Sequence, residues 1–172
     1  MTYFEDLSDY NYLGPACYRD GTKNVGWLKM GYRFPVALPS EELLEALWRY
    51  CKISVGQTRG IHSCDFCKDE LWYVAERDGE KLMIGSSEIR VFSKSGTIYA
   101  APTLIFHYVK SHNYSPPEEF VQAVLEEPDP ANPSYFSHLR KLGIDWEATS
   151  VPGPNPGRIW RFKSPPNSSD QS

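Results

Sequence analysis

At 172 residues, 41% hydrophobic and 23% charged, the chain is long enough to bury a core of its own, so a single domain is expected and any metal would be local reinforcement. A net charge of -4 argues against wrapping a nucleic-acid backbone, whose affinity comes mostly from Lys and Arg neutralising phosphates, and makes nucleic acid an unlikely partner. No apolar run approaches the roughly 18 residues that span a bilayer, so no membrane partner is expected; the start Met1-Thr2-Tyr3-Phe4-Glu5-Asp6 is acidic and lacks a signal-peptide core, which predicts a cytoplasmic protein.

The first fourteen residues set Tyr3, Phe4, Tyr10 and Tyr12 among Glu5, Asp6 and Asp9 and end at Gly14-Pro15. They read as a short ordered arm whose aromatics pack on the body or form a binding face. Asp20-Gly21, Gly26, Gly31 and Pro35 then punctuate brief strands and turns. Ser40 followed by Glu41 and Glu42 opens the clearest helix, with Leu43, Leu44, Leu47 and Trp48 on one face and an expected end near Cys51, a small buried residue. Ile53 to Thr58 is a short extended piece.

From Leu71 the pattern turns strand-like. The runs 71–74, 81–84, 88–92 and 97–100, separated by Asp78-Gly79, Gly85-Ser86 and Ser95-Gly96, predict an antiparallel meander. On the third run Glu88 and Arg90 share a side, which reads first as an exposed ion pair and second as a catalytic or ligand-binding pair. After Pro102 the apolar run 103–110 suits a buried helix that carries His107 deep into the protein. Ser115 and Pro116 suit the start of another, with Phe120, Val121, Val124 and Leu125 on its apolar face. A short helix from Tyr135 to Leu142 closes at Gly143, and Ile144-Asp145-Trp146 re-enters the body. The alternating Arg158-Ile159-Trp160-Arg161-Phe162 reads as an edge strand, and residues 164–172 as a disordered tail. The expected architecture is a single α+β domain over 1–163: an antiparallel meander packed with several short helices and held by a zinc clamp.

The clamp comes from donor chemistry. In a reducing compartment the pair Cys64 and Cys67 is better suited to ligation than to a disulfide, with Cys17 and Cys51 as ordinary thiols. C-x2-C lets two sulfurs from one turn reach one Zn2+ ion, and His107 with His112 supplies a two-histidine partner that completes a tetrahedron. Positions five apart on a regular helix point about 140° from each other, so the helix must end near Ser111 for both to ligate. His62 is the alternative ligand. Absent a metal, the thiols are packing residues or a redox pair. A thioredoxin-like role fits poorly because no βαβ unit surrounds the pair, and the deaminase pattern fails for want of an H-x-E.

The blocks Asn24-Val25-Gly26-Trp27-Leu28, Gln57 to Cys67, Gly85 to Val91, Tyr99-Ala100-Ala101-Pro102 and His107-Tyr108-Val109 with His112 to Phe120 resemble an uncharacterised bacterial domain family over roughly residues 1–127. That resemblance implies bacterial origin and a shared architecture, and carries no activity. The leading functional reading is a protein-binding, accessory or immunity-type module with a structural zinc and another protein as its partner. The competing reading is a zinc-dependent hydrolase with Glu88 as general base and Arg59 or Arg90 stabilising an anion. A third is nucleic-acid binding through the interleaved basic and aromatic residues from Arg158 to Lys163.

Overall fold

A computed structural model describes residues 2–13, 18, 20–58, 60–67, 74–126 and 130–144. Cys17, Arg59, the first three residues of the run starting at Leu71, Asp145-Trp146, the strand expected at Arg158–Phe162 and the tail lie outside the described residues. The chain runs β1 (Lys23–Asn24), α1 (Glu41–Lys52), β2 (Val74–Arg77), β3 (Glu80–Met83), β4 (Glu88–Phe92), β5 (Ile98–Pro102), α2 (Ile105–His112), α3 (Glu118–Glu126) and α4 (Pro133–Lys141). The fold is α+β in a single compact domain. No helix among the described residues is long and apolar enough to cross a membrane.

α1 forms where its cap and stripe predict. The Ser40 side chain accepts from the Leu43 N–H at 3.2 Å, and Leu43, Leu44, Leu47 and Trp48 are buried. Cys51, in its last turn, is 2% exposed, and burial pushes its thiol up to about 12.

The strands differ from the expected meander. β2 and β3 pair as an antiparallel hairpin through Asp78 (φ 51°) and Gly79 (φ 77°), and β4 pairs antiparallel with β5, but β3 and β4 belong to separate sheets. The reason is that the free edge of β4 is already taken: Val55 bridges Glu88 with backbone bonds of 2.7 and 2.8 Å, and Thr58 and His62 donate to the carbonyls of Ser86 and Gly85. Gly85-Ser86 therefore receives the 55–62 segment instead of forming a hairpin turn. Gly85 lies at φ 91°, and a Cβ there would sit 2.4 Å from the His62 carbonyl oxygen, so only glycine lets the two backbones meet. On the far side of β5, β1 pairs in parallel, with Lys23 opposite Tyr99.

Both faces of this sheet are covered. Ile89 and Val91 are fully buried in the large core with α1, α2 and α3. The opposite face carries Ala100, on which Tyr10 and Trp27 pack, flanked by Phe4, Tyr12, Leu13 and Tyr18. The acidic aromatic arm is thus a cover for the sheet.

That cover corrects the expectation for Glu88 and Arg90. They form an ion pair, Arg90 Nη1 donating to Glu88 Oε2 at 2.6 Å, but at 3% and 0% exposure it is buried. The Tyr10 ring lies 4.8 Å from the guanidinium and shuts out water. α3 also starts later than Ser115 and Pro116 suggest. The Ser115 N–H is committed to the Pro35 carbonyl and the Ala37 N–H to the Asn113 carbonyl, an extended pairing around Val36 and Tyr114 that holds the chain out of helix until Glu118. α4 is capped by Asn132, whose side chain accepts from the Ser134 N–H, with Pro133 at its first position.

Candidate metal centre

Cys64 and Cys67 stand at the two ends of a turn through Asp65 and Phe66, in which the Phe66 N–H points to the Cys64 sulfur at 3.4 Å. The residue between the thiols anchors the turn. The Phe66 ring packs against Phe34, Tyr108 and His112 with centroids 5.4, 6.0 and 5.3 Å away. Facing it is the C-terminal half of α2. His112 is the last helical residue, and Asn113 follows at φ 53° with its N–H on the Tyr108 carbonyl, a left-handed cap that ends the helix one residue beyond the expected point.

The two histidines converge there with the thiols. His112 Nε2 lies 3.2 Å from Cys64 Sγ and 3.4 Å from Cys67 Sγ; His107 Nε2 lies 3.3 Å from Cys67 Sγ and 3.1 Å from His112 Nε2. All four donor atoms fall within 4.8 Å of one another, close enough to bind a metal ion. A tetrahedron with zinc bond lengths has edges of about 3.3 Å between nitrogens, about 3.6 Å between nitrogen and sulfur and about 3.8 Å between sulfurs. The four nitrogen–sulfur and nitrogen–nitrogen separations given above lie within a few tenths of an ångström of those edges, so these residues fit a tetrahedral ion.

The protonation chemistry agrees with a cation site. Burial and the neighbouring His112 push His107 down to about 4, and burial lowers His112 as well, so both rings are the neutral imidazoles that ligation needs. Burial pushes the Cys64 thiol up to about 11; a cation at the centre supplies the charge that would turn it into a thiolate. The Tyr108 hydroxyl, fully buried beside the thiols, has no hydrogen-bond partner among the described residues. It is a donor in reach of the sulfurs' field once they are charged. His107 is half-buried and not as deep as the helix pattern suggests.

The other sequence candidates are not part of this cluster. His62 shares a hydrogen bond of 3.2 Å with the Tyr12 hydroxyl through Nε2, and burial lowers its pKa. Glu88 accepts from the Tyr10 hydroxyl at 3.0 and 2.8 Å on its two oxygens and from Arg90, leaving it tied to the buried pair. Burial pushes its carboxyl up while Arg90 and Tyr10 pull it down. The position of Arg59 lies outside the described residues, as do Arg158 and Arg161. Tyr10 and Tyr12 were missed as partners of Glu88 and His62, since no spacing rule links residues 78 and 50 positions apart.

A family model described as Domain of unknown function (DUF7919) matches residues 2–125. No curated protein and no solved structure matches the chain.

Proposed function

The chain belongs to this family of unknown function, so its task has to be read from its own site, and we propose that it is a zinc-binding protein whose metal is structural and whose role is to bind another protein. The observation that carries this reading is the closure of the donor set: two sulfurs and two nitrogens at tetrahedral spacing leave no position for a reactive water. Mixed thiol and imidazole donors favour zinc over hard cations. The ion ties the turn at Cys64–Cys67 to the end of α2, reinforcing the side-chain packing of Phe66 on Tyr108 and His112. A hydrolase would need an open position and a free general base, and Glu88 is committed to Arg90 and Tyr10.

Metal analysis of purified protein tests the first half. The expected result is close to one zinc per chain, and a cobalt-substituted sample with tetrahedral bands and thiolate charge transfer. Protein that takes up no metal, or a cobalt spectrum with an exchangeable water, would overturn it.

The partner surface is supported by the segment beside the clamp. Met30, Tyr32, Val36 and Leu38 are 62%, 52%, 68% and 88% exposed, an apolar strip whose Val36 pairs with Tyr114 just beyond α2. Lys29 and Arg33, both exposed, flank it. Asp65, on the Met30 N–H at 3.5 Å, closes one end of the strip, and the two cations Lys29 and Arg33 favour an apolar peptide segment carrying Asp or Glu opposite them. Peptide-library selection on the full chain should enrich such sequences, and Leu38→Asp together with Arg33→Glu should abolish the enrichment; selection of peptides without that signature would refute the surface.

A further inference from the structure

The strip from Met30 to Leu38 has an open backbone edge as well as an apolar surface. Val36 faces Tyr114 in an antiparallel bridge whose two hydrogen bonds come from its neighbours: the Ala37 N–H donates to the Asn113 carbonyl and the Ser115 N–H to the Pro35 carbonyl, each at 2.9 Å. In such a pair the N–H and C=O of the central residue point the other way. Those of Val36 therefore face away from Tyr114 and meet no partner among the described residues. Resting on the strip's role as a docking surface, we infer that its occupant is a second copy of this chain, paired edge to edge and antiparallel around Val36.

The edge is built to receive a strand. Natural edges are blunted by prolines that take N–H groups off the open side. Here Pro35 lies on the side that faces residues 113–115, and in an extended run Pro39 falls in the same register, so neither removes a donor from the outer edge. The Phe34 ring fixes the segment to the body, with centroids 5.4 Å from Phe66 and 5.8 Å from Tyr114. Pairing therefore orders little that is not already held.

Sequence and charge identify the occupant. An antiparallel register about Val36 sets Val36 opposite Val36 of the copy, Phe34 opposite Leu38 and Pro35 opposite Ala37, so the free N–H and C=O at the two-fold axis satisfy each other and no proline stands where a donor is needed. Val36 and Leu38, 68% and 88% exposed, gain cover from their cross-strand neighbours. Arg33 then lies opposite Pro39 of the copy, and the exposed Glu41 and Glu42 follow two and three residues further on, within the reach of a long guanidinium side chain. The apolar segment with acids that Lys29 and Arg33 favour is thus one that the chain carries itself. Its own Arg158-Ile159-Trp160-Arg161-Phe162 would instead bring two arginines against those cations. A single short edge belongs with the small interfaces, below about 1,200 Å2, so the dimer is weak and reversible.

Sedimentation equilibrium of the full chain from about 1 μM to about 1 mM tests this, with a monomer–dimer equilibrium of Kd about 10–100 μM and no larger species as the expected result. Val36→Lys changes an exposed side chain and sets two cations across the two-fold axis; it should weaken the dimer by about tenfold or more while near-ultraviolet circular dichroism stays native. Arg33→Glu and Glu42→Lys should each weaken it about fivefold, and the double variant, which exchanges the charges across the axis, should restore it to within about twofold. A chain monomeric throughout, a dimer that survives Val36→Lys, or single variants that the double variant does not rescue would overturn the assignment. Peptide selection separates the two readings: acidic apolar peptides enriched on a chain that stays monomeric would refute the second copy and leave the docking strip standing, whereas peptides without that signature together with a dimer indifferent to Val36→Lys would remove both.

Discussion

Replacing Cys67 by serine is expected to strip the metal from the protein and to lower its melting temperature by about 10 °C. Cys67 touches both histidine nitrogens of the centre, at 3.3 and 3.4 Å, so its loss removes one of four donors and one of the two contacts that bring His107 into the cluster. A ligand present at a thousand times its dissociation constant stabilises by about 4 kcal/mol. In a chain of this length each kcal/mol is worth about 2–4 °C, which gives the size of the shift. Calorimetry of native and variant protein with and without chelator checks it: chelation should lower the native melting temperature to that of Cys67→Ser and leave the variant unmoved. Cys51→Ala serves as the control, because Cys51 is buried in α1 with its thiol on the Thr103 carbonyl and should change stability without changing metal content. A variant that still responds fully to chelator would show that the thiol does not ligate.

Glu88→Gln is expected to be nearly as damaging, at about 3–5 kcal/mol, for a different reason. It leaves the Arg90 guanidinium, fully buried and without partners on Nε and Nη2 among the described residues, lacking the carboxylate that compensates it. Arg90→Met alone should cost a similar amount, whereas the double variant Glu88→Gln with Arg90→Met should lose less than the sum, because both charges go together. Urea titration of the four proteins closes this cycle. Additive losses would mean that the two side chains do not act as a pair, and Glu88→Gln costing under about 1 kcal/mol would mean that the burial of Arg90 is tolerated without it.

What was legible in the sequence is what short spacing encodes. Ser40 with its two acids and the leucine stripe announced α1, and Asp78-Gly79 announced the hairpin between β2 and β3. C-x2-C and the two later histidines named a donor set that the fold brings together, because one turn and one helix end carry it. What was not legible depends on distant segments competing for the same surface. Nothing in residues 81–92 says that the edge of β4 will be claimed by Val55 rather than by β3, and nothing near Glu88 and Arg90 says that an aromatic arm will cover them. The alternation of that strand is genuine; its polar side was read as facing water because the cover begins 78 residues earlier.

The parallel pairing of β1 with β5 fixes the order in which a growing chain can be completed. The arm and β1 are synthesised before the segments they pack on: β1 has no strand to pair with until Ile98–Pro102 has been made, and Asp6 reaches its Tyr114 partner 108 residues later. During synthesis the arm must therefore wait for its cover: Trp27 precedes its Ala100 partner by 73 residues, and long-range closures of this kind are slow. In the finished fold two of the acids interspersed among the arm's aromatics lock that closure: Asp6 accepts from the Gly26 N–H and the Tyr114 hydroxyl, each at 2.8 Å, and Asp9 pairs with Lys23 of β1.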